Sequence, residues 1–226
     1  MKFTYYGHAC FAVETAGKTL LFDPFITPNE LAKSVDVDAV PADFILLSHG
    51  HFDHVTDAVR IAQRTGATVI ANFEVAQWIG NQGVTAVQAM NPGGSRAFDF
   101  GRVKSVNAIH SSSLPDGSYG GQPGGFVVET ADGAFYYSGD TALTMDMKLI
   151  AEEFRLRFAI LPVGDNFTMD AADAAKAAGF IDCGEIIGVH FDTWPPIVID
   201  HEAAKAEFSK VGKRLRLPKI GESLDF

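Results

Sequence analysis

The stretch SHGHFDH, Ser48–His54, places His49, His51 and His54 beside Asp53, directly behind the apolar run Phe44–Leu47. The whole chain contains 7 histidines, so this concentration points to chemistry rather than to composition. Neutral imidazoles and carboxylates are the ligands that Zn²⁺, Mn²⁺ and Fe²⁺ share, and an open coordination position makes such a site catalytic. His49 and His51 lie two apart and reach one ion together if the turn is tight, which Gly50 permits. Asp53 and His54 come off the following turn toward a second ion.

Three later residues complete such a set. His110 ends the run SVNAI, Asp140 ends AFYYSG and His190 ends EIIGV, each where a buried strand gives way to a loop. Strand ends of this kind can converge on one pocket. The expected division is His49, His51 and His110 on one ion, Asp53, His54 and His190 on the other, and Asp140 bridging both. Two divalent ions outweigh these two carboxylates and leave the site positive. Metal lowers the pKa of bound water from roughly 16 to about 7, so hydroxide generated on the metal is the expected nucleophile. The ions also polarise the scissile bond, and Asp53 orients or shuttles the proton.

These residues need elements to hold them. KFTYY, CFAVET and KTLLFD read as consecutive strands, the last two joined as a hairpin through AGK, so the chain opens with an antiparallel meander. Val55, Ala58, Val59 and Ala62 share one helical face and predict a helix over HVTDAVRIAQRTG that stops at Gly66. Further strands are expected at TVIAN, VKSVNAIH, GGFVVET, AFYYSGD, RFAILPVG and EIIGVH. Helices are expected at MDMKLIAEEF, MDAADAAKAAG and DHEAAKAEFSKV. Strands with interspersed helices imply a layered α/β protein covered by helices on both sides. No long Pro/Gly/Ser linker or internal repeat divides the sequence, so residues 1–226 are expected to form one domain.

Composition narrows the function. The chain has 18 Lys and Arg against 28 Asp and Glu, a net charge of −10, with no basic cluster. That balance speaks against partners such as nucleic acid or an anionic membrane and for a small-molecule substrate. No apolar run is long enough to cross a bilayer, and MKFTYYGHACF lacks a signal-peptide pattern, so the expected location is cytoplasmic. Cys10 and Cys183 form no CxxC pair and are expected to be buried thiols.

Other segments have plainer readings. GGQPGG, Gly120–Gly125, lacks the GK[ST] ending of a phosphate loop and reads as a flexible loop. Ser111–Ser113 lack a G-x-S-x-G elbow and read as a polar loop at the site mouth. His201 follows Asp200 at a helix start and reads as a solvent-exposed first-turn residue. His8, in GHACF, is either a structural turn histidine or a group facing the metal cavity; with Asp53 it is a candidate catalytic residue, but not a primary ligand. Asp23, before Pro24, either caps a turn or accepts the second ring N–H of a metal-bound histidine.

The order H-x-H-x-D-H followed by His110, Asp140 and His190 resembles the metallo-β-lactamase superfamily. GHACF, LLFDP, SGDTALTMDM and LPVGDNFTMDAADAA are similar to small stand-alone hydrolases related to the L-ascorbate 6-phosphate lactonases. The resemblance implies a four-layer αββα sandwich with a one- or two-metal site, and it places an aspartate at the position of Asp23 near that site. Zn²⁺ is the expected metal, with Mn²⁺ or Fe²⁺ as alternatives. The implied activity is hydrolysis of a small ester or lactone, and the positive metal site favours an anionic one. A small or cyclic phosphodiester is the alternative substrate, and a non-catalytic metal-binding or metal-sensing protein is the alternative of another class. Related small hydrolases often self-associate, so a homo-oligomer is a candidate assembly. His51 stands where flavodiiron oxidoreductases carry glutamate, which disfavours a redox di-iron protein.

Overall fold

Apolar residues of successive strands alternate between different cores, and this partition builds the layers. In the computed structural model, which describes Met1–Phe226, Phe11 and Val13 enter a central core while Cys10 and Ala12 enter an outer one. Phe135 and Tyr137 likewise enter the central core, and Tyr136 the opposite outer core. Both faces of these strands are buried, so their sequences read as near-continuous apolar runs.

In chain order the strands are β1 (Lys2–Gly7), β2 (Cys10–Thr15), β3 (Lys18–Phe22), β4 (Phe44–Leu46), β5 (Thr68–Ala71), β6 (Val87–Ala89) and β7 (Ser95–Phe98). They continue with β8 (Gly101–Asn107), β9 (Gly124–Thr130), β10 (Gly133–Tyr137), β11 (Leu156–Pro162), β12 (Glu185–Val189), β13 (Arg214–Arg216) and β14 (Ser223–Asp225). They form two seven-stranded sheets, ordered β14-β1-β2-β3-β4-β5-β6 and β13-β12-β11-β10-β9-β8-β7. Phenylalanines fill the space between them: Phe11 stacks on Phe22 at 4.6 Å and Phe135 on Phe158 at 5.2 Å. Burying each such ring contributes about 1.5–3 kcal/mol.

Helices α1 (Phe52–Val55), α2 (Ala58–Thr65) and α3 (Phe73–Asn81) cover the first sheet; α4 (Met147–Glu153), α5 (Ala171–Phe180) and α6 (His201–Lys210) cover the second. The result is the expected αββα sandwich. No helix is long and apolar enough to cross a membrane. Cys10 and Cys183 are free and buried, and burial pushes the Cys183 thiol up to about 11.

The topology gathers one set of strand ends. β1 and β3 both run antiparallel to β2, and β3 and β4 are parallel. β8 and β10 both run antiparallel to β9, while β10, β11 and β12 are parallel. The carboxyl ends of β1, β3 and β4 therefore share one edge of the first sheet, and those of β8, β10 and β12 share one edge of the second. Ligand-binding crevices in α/β proteins form at such edges.

Several local expectations change. The predicted helix over HVTDAVRIAQRTG is broken between Val55 and Ala58. Asp57 sits at the break because its buried carboxylate accepts the N–H groups of Ile26 and Thr27 and the Thr27 hydroxyl. The helix does end at Gly66, whose φ of 75° is left-handed. α3 was not expected; Asn72 caps it by accepting the Val75 N–H. The short strands β6, β7, β13 and β14 were not expected either.

Gly120–Gly125 is not a flexible loop. Gly120, Gly121, Pro123, Gly124 and Gly125 are buried, and Asn72 Nδ2 donates to the carbonyls of Gly120 and Gln122. A Cβ on Gly125 would lie 2.5 Å from the Tyr137 carbonyl oxygen, so only glycine lets β9 approach β10 there. Gly125→Ala should therefore lower stability by about 1–3 kcal/mol through overpacking. The check is a lower urea midpoint with an unchanged slope; an unshifted midpoint would contradict the tight packing.

Candidate metal centre

Each candidate side chain leaves its strand at the shared edge. His8 directly follows β1, Asp23 follows β3 and His190 follows β12, with left-handed φ values of 55°, 41° and 56°. Such a conformation costs a non-glycine residue about 1–3 kcal/mol and is retained where surrounding structure over-determines it, commonly at functional sites. His49, His110 and Asp140 each come three residues beyond β4, β8 and β10, so those strands stop earlier than predicted. Asp53 and His54 lie on α1, with His51 at its N-cap.

Beside a cluster of Asp23, His49 and His54, two further groups of potential ligand atoms result. His49, His51 and His110 form one, and Asp53, His54 and His190 form another that also contains His8. The structure thus brings together the residues expected to share each ion, with His8 beside the second group. His49 Nε2 and His51 Nδ1 lie 2.9 Å apart. Asp140 stands between the groups: its Oδ2 is 3.2 Å from His54 Nε2, 3.1 Å from His190 Nε2 and 3.7 Å from His110 Nε2. Asp140 Oδ1 is buried without a hydrogen-bond partner.

The two groups differ in charge. Burial lowers the pKa values of His49, His51 and His110, so the first group offers neutral nitrogen donors. Burial also opposes protonation of His54 and His190, but Asp140 and Asp53 outweigh it. They hold His54 well above the usual histidine range and push His190 up to about 9. Asp53 and Asp140, despite their burial, are held well below the usual carboxylate range by the surrounding histidines.

Outer contacts fix these rings. The Asp23 carboxylate, fully buried, accepts from the Ser48 N–H at 2.8 Å, the Ser48 hydroxyl at 2.6 Å and the Tyr137 hydroxyl at 2.6 Å, and it lies 2.8 Å from His54 Nδ1. It orients His54 rather than capping a turn. His49 Nδ1 is 2.9 Å from Ser48 Oγ. His8 is buried, with Nε2 3.0 Å from Asp53 Oδ2 and Nδ1 2.8 Å from Thr193 Oγ1, so of its two readings the site-facing one holds.

Gly50 serves the turn in a way the sequence did not indicate. Its φ is ordinary; a Cβ there would press on Leu114 at 3.1 Å and on Ser112 at 3.3 Å. Ser112 Oγ accepts the Gly50 N–H at 3.0 Å and donates to the Gly120 carbonyl at 2.8 Å. The serine loop thus braces the His49–His51 turn, while Ser111 Oγ lies 3.3 Å from His51 Nε2. His201 stands in the first turn of α6 as expected, but it is only partly exposed, 2.7 Å from Asp192 Oδ2 and edge-on to Phe191.

A cleft of about 500 Å³ opens over these groups. His51, Asp53, His110, Asp140 and His190 form its reactive floor; Phe52, Phe167, Trp194 and Pro196 form apolar walls, and no lysine or arginine lines it. Phe52 and Phe167 lie inside stretches the sequence singled out, but nothing in those stretches or around Trp194 marked an aromatic wall.

Known proteins resemble this arrangement along its whole length. Residues 2–190 match the family described as Beta-lactamase superfamily domain. A "UPF0173 metal-dependent hydrolase" of Christiangramia forsetii is 54% identical over 226 residues, covering 100% of both chains. Another, from Methylacidiphilum infernorum, is 51% identical over 224 residues and covers 99% of each chain. Among solved structures, a metallo hydrolase from the hyperthermophilic archaeon Ignicoccus hospitalis is 30% identical with a TM-score of 0.89, covering 100% of this chain and 98% of that one. These likenesses take in both sheets and every strand end described above. The chain belongs to the metal-dependent hydrolases of the β-lactamase superfamily, built on the metallo-β-lactamase fold.

Proposed function

We propose that this hydrolase cleaves a small ester or lactone using two divalent ions, Zn²⁺ or alternatively Mn²⁺ or Fe²⁺. His49, His51 and His110 would hold one ion, Asp53, His54 and His190 the other, and Asp140 would reach both. The observation that carries this reading is that His54 Nε2 and Asp140 Oδ1 are buried without hydrogen-bond partners where the two histidine groups meet, beside an open cleft that Asp140 lines. Buried polar atoms are normally satisfied, and coordination is the partner that this donor set fits.

When bound, the ions supply Lewis acidity toward the scissile carbonyl and acidify a water. The chain's own groups then handle the proton. Burial pulls His8 down to about 4, so its ring is neutral at neutral pH. The ionised Asp53 can only accept, hence His8 Nε2–H donates to Asp53 Oδ2 and His8 Nδ1 accepts from the Thr193 hydroxyl. That bond fixes the carboxylate, and Asp53 is placed to receive the proton of the attacking water. His8, with both ring nitrogens engaged, positions Asp53 rather than serving as a ligand.

The cleft bears on the alternatives. A phosphodiester would meet none of the guanidinium or ammonium groups that commonly hold phosphate, and with no lysine or arginine in the cleft the expected preference for an anionic lactone rests on the metal site alone. A non-catalytic relative would close the cavity, whereas this one stands open.

Chelation should reduce hydrolysis of phenyl acetate and of a small lactone to the uncatalysed background, and added Zn²⁺ or Mn²⁺ should restore it. Turnover by protein verified as metal-free would sink the proposal. Faster cleavage of bis(4-nitrophenyl) phosphate than of either ester or lactone would replace it with the phosphodiesterase reading.

A further inference from the structure

We infer that the end of the substrate remote from the scissile bond is flat, apolar and uncharged, and that Trp194, Phe52 and Phe167 form the shelf that receives it. This rests on the hydrolase reading of the cleft. Phe52 and Phe167 are 52% and 53% exposed although both line the cleft beside its reactive floor. Large apolar side chains grouped in contact with water mark a surface kept for binding.

The shelf is rigidly supported. The Trp194 ring lies 6.1 Å from Phe52, 5.9 Å from Phe25 and 4.8 Å from His8, measured between ring centroids. Phe25 is itself buried and meets Phe52 edge-on at 5.6 Å. Such packing fixes the indole before a ligand arrives, and pre-organised aromatic surface binds with little loss of side-chain freedom. Phe167 projects from a turn in which Asp165 and Asn166 are both left-handed, with φ of 62° and 52°. The Asp165 N–H bonded to the carbonyl of buried Met169 ties that turn to the core. The loop carrying Trp194 is pinned in turn by Asp192, which accepts the Ile199 N–H and pairs with His201. Strain retained in this way is typical of binding sites.

Charge completes the argument. The ionisable groups of the cleft are His51, Asp53, His110, Asp140 and His190 of the reactive floor, and no lysine or arginine lines it. An anionic group on the shelf would lose hydration without gaining a counter-charge.

Two esters that differ only at the far end of the ring test this: 4-methylphenyl acetate and 4-acetoxybenzenesulfonate. The sulfonated phenol is the better leaving group, so chemistry alone favours the second. The metal-loaded protein should nevertheless show a kcat/KM about tenfold higher for the methyl compound, and Trp194→Ala should remove that preference through KM. Phe167→Ala, at an exposed position, should raise KM for the methyl ester several-fold even if Trp194→Ala disturbs folding. Equal or reversed preference in the wild type, or unchanged KM in Phe167→Ala, would overturn the inference.

Should neither ester turn over, the ester reading fails separately, and binding decides the shelf. In a Trp78→Phe background, 4-methylacetophenone should quench Trp194 fluorescence at about tenfold lower concentration than 4-acetylbenzenesulfonate. Equal quenching would overturn the inference.

Discussion

Asp140→Asn should lower turnover by roughly two to three orders of magnitude, the scale on which losing one group that stabilises developing charge is felt, and should reduce bound metal as well. The substitution keeps the side chain's size and one carbonyl oxygen. It removes the negative charge that faces His54, His190 and His110 and replaces one oxygen donor by an amide nitrogen that cannot coordinate. His110→Ala should act differently, because His110 groups with His49 and His51 and not with His190. Metal analysis should find both variants depleted, with His110→Ala retaining the ion assigned to Asp53, His54 and His190. Wild-type metal content and near-wild-type turnover in Asp140→Asn would remove Asp140 from its bridging role.

The largest stability loss should follow Asp23→Ala. This carboxylate is fully buried and takes three donated hydrogen bonds, from the Ser48 N–H, the Ser48 hydroxyl and the Tyr137 hydroxyl, besides facing His54. Truncation strands all of those partners in the interior, and breaking a buried charged network from one side costs about 3–5 kcal/mol. For a chain of this size each kcal/mol moves Tm by roughly 2–4 °C, so a fall of about 6–20 °C is expected. Asp23→Asn should be milder for folding, since it can keep the Ser48 contacts, but its amide cannot serve every donor that faces it. Its signature should be lost metal with a smaller change in Tm. Thermal unfolding of Asp23→Ala at the wild-type temperature would show that the network contributes little.

The candidate ligand set was legible in the sequence because its signals are local. Short-range spacing brings His49, His51, Asp53 and His54 together whatever the rest of the chain does. His190 directly follows a strand, and His110 and Asp140 lie three residues past theirs, so apolar runs alone announced their exits to a loop. Residues alternating between two cores, as at Phe11, Ala12 and Val13, announced strands buried on both faces, and the cap residues Asp170 and Asp200 marked where helices begin.

Tertiary structure alone decided what depends on partners distant in the chain. The helix breaks at Asp57 because residues 30 and 31 positions away claim its carboxylate. His8 meets Asp53 across 45 positions, and Asn72 holds the glycine loop across 48, which turns an apparently flexible segment into packed structure. β6, β7 and β14 are largely exposed at sheet edges, so no buried alternation marked them. The shelf of Phe52, Phe167 and Trp194 is assembled from the start of α1, a turn and a loop that are remote in sequence. Spacing and periodicity report only what neighbouring residues share, whereas a cleft wall is defined by side chains that become neighbours when the chain folds.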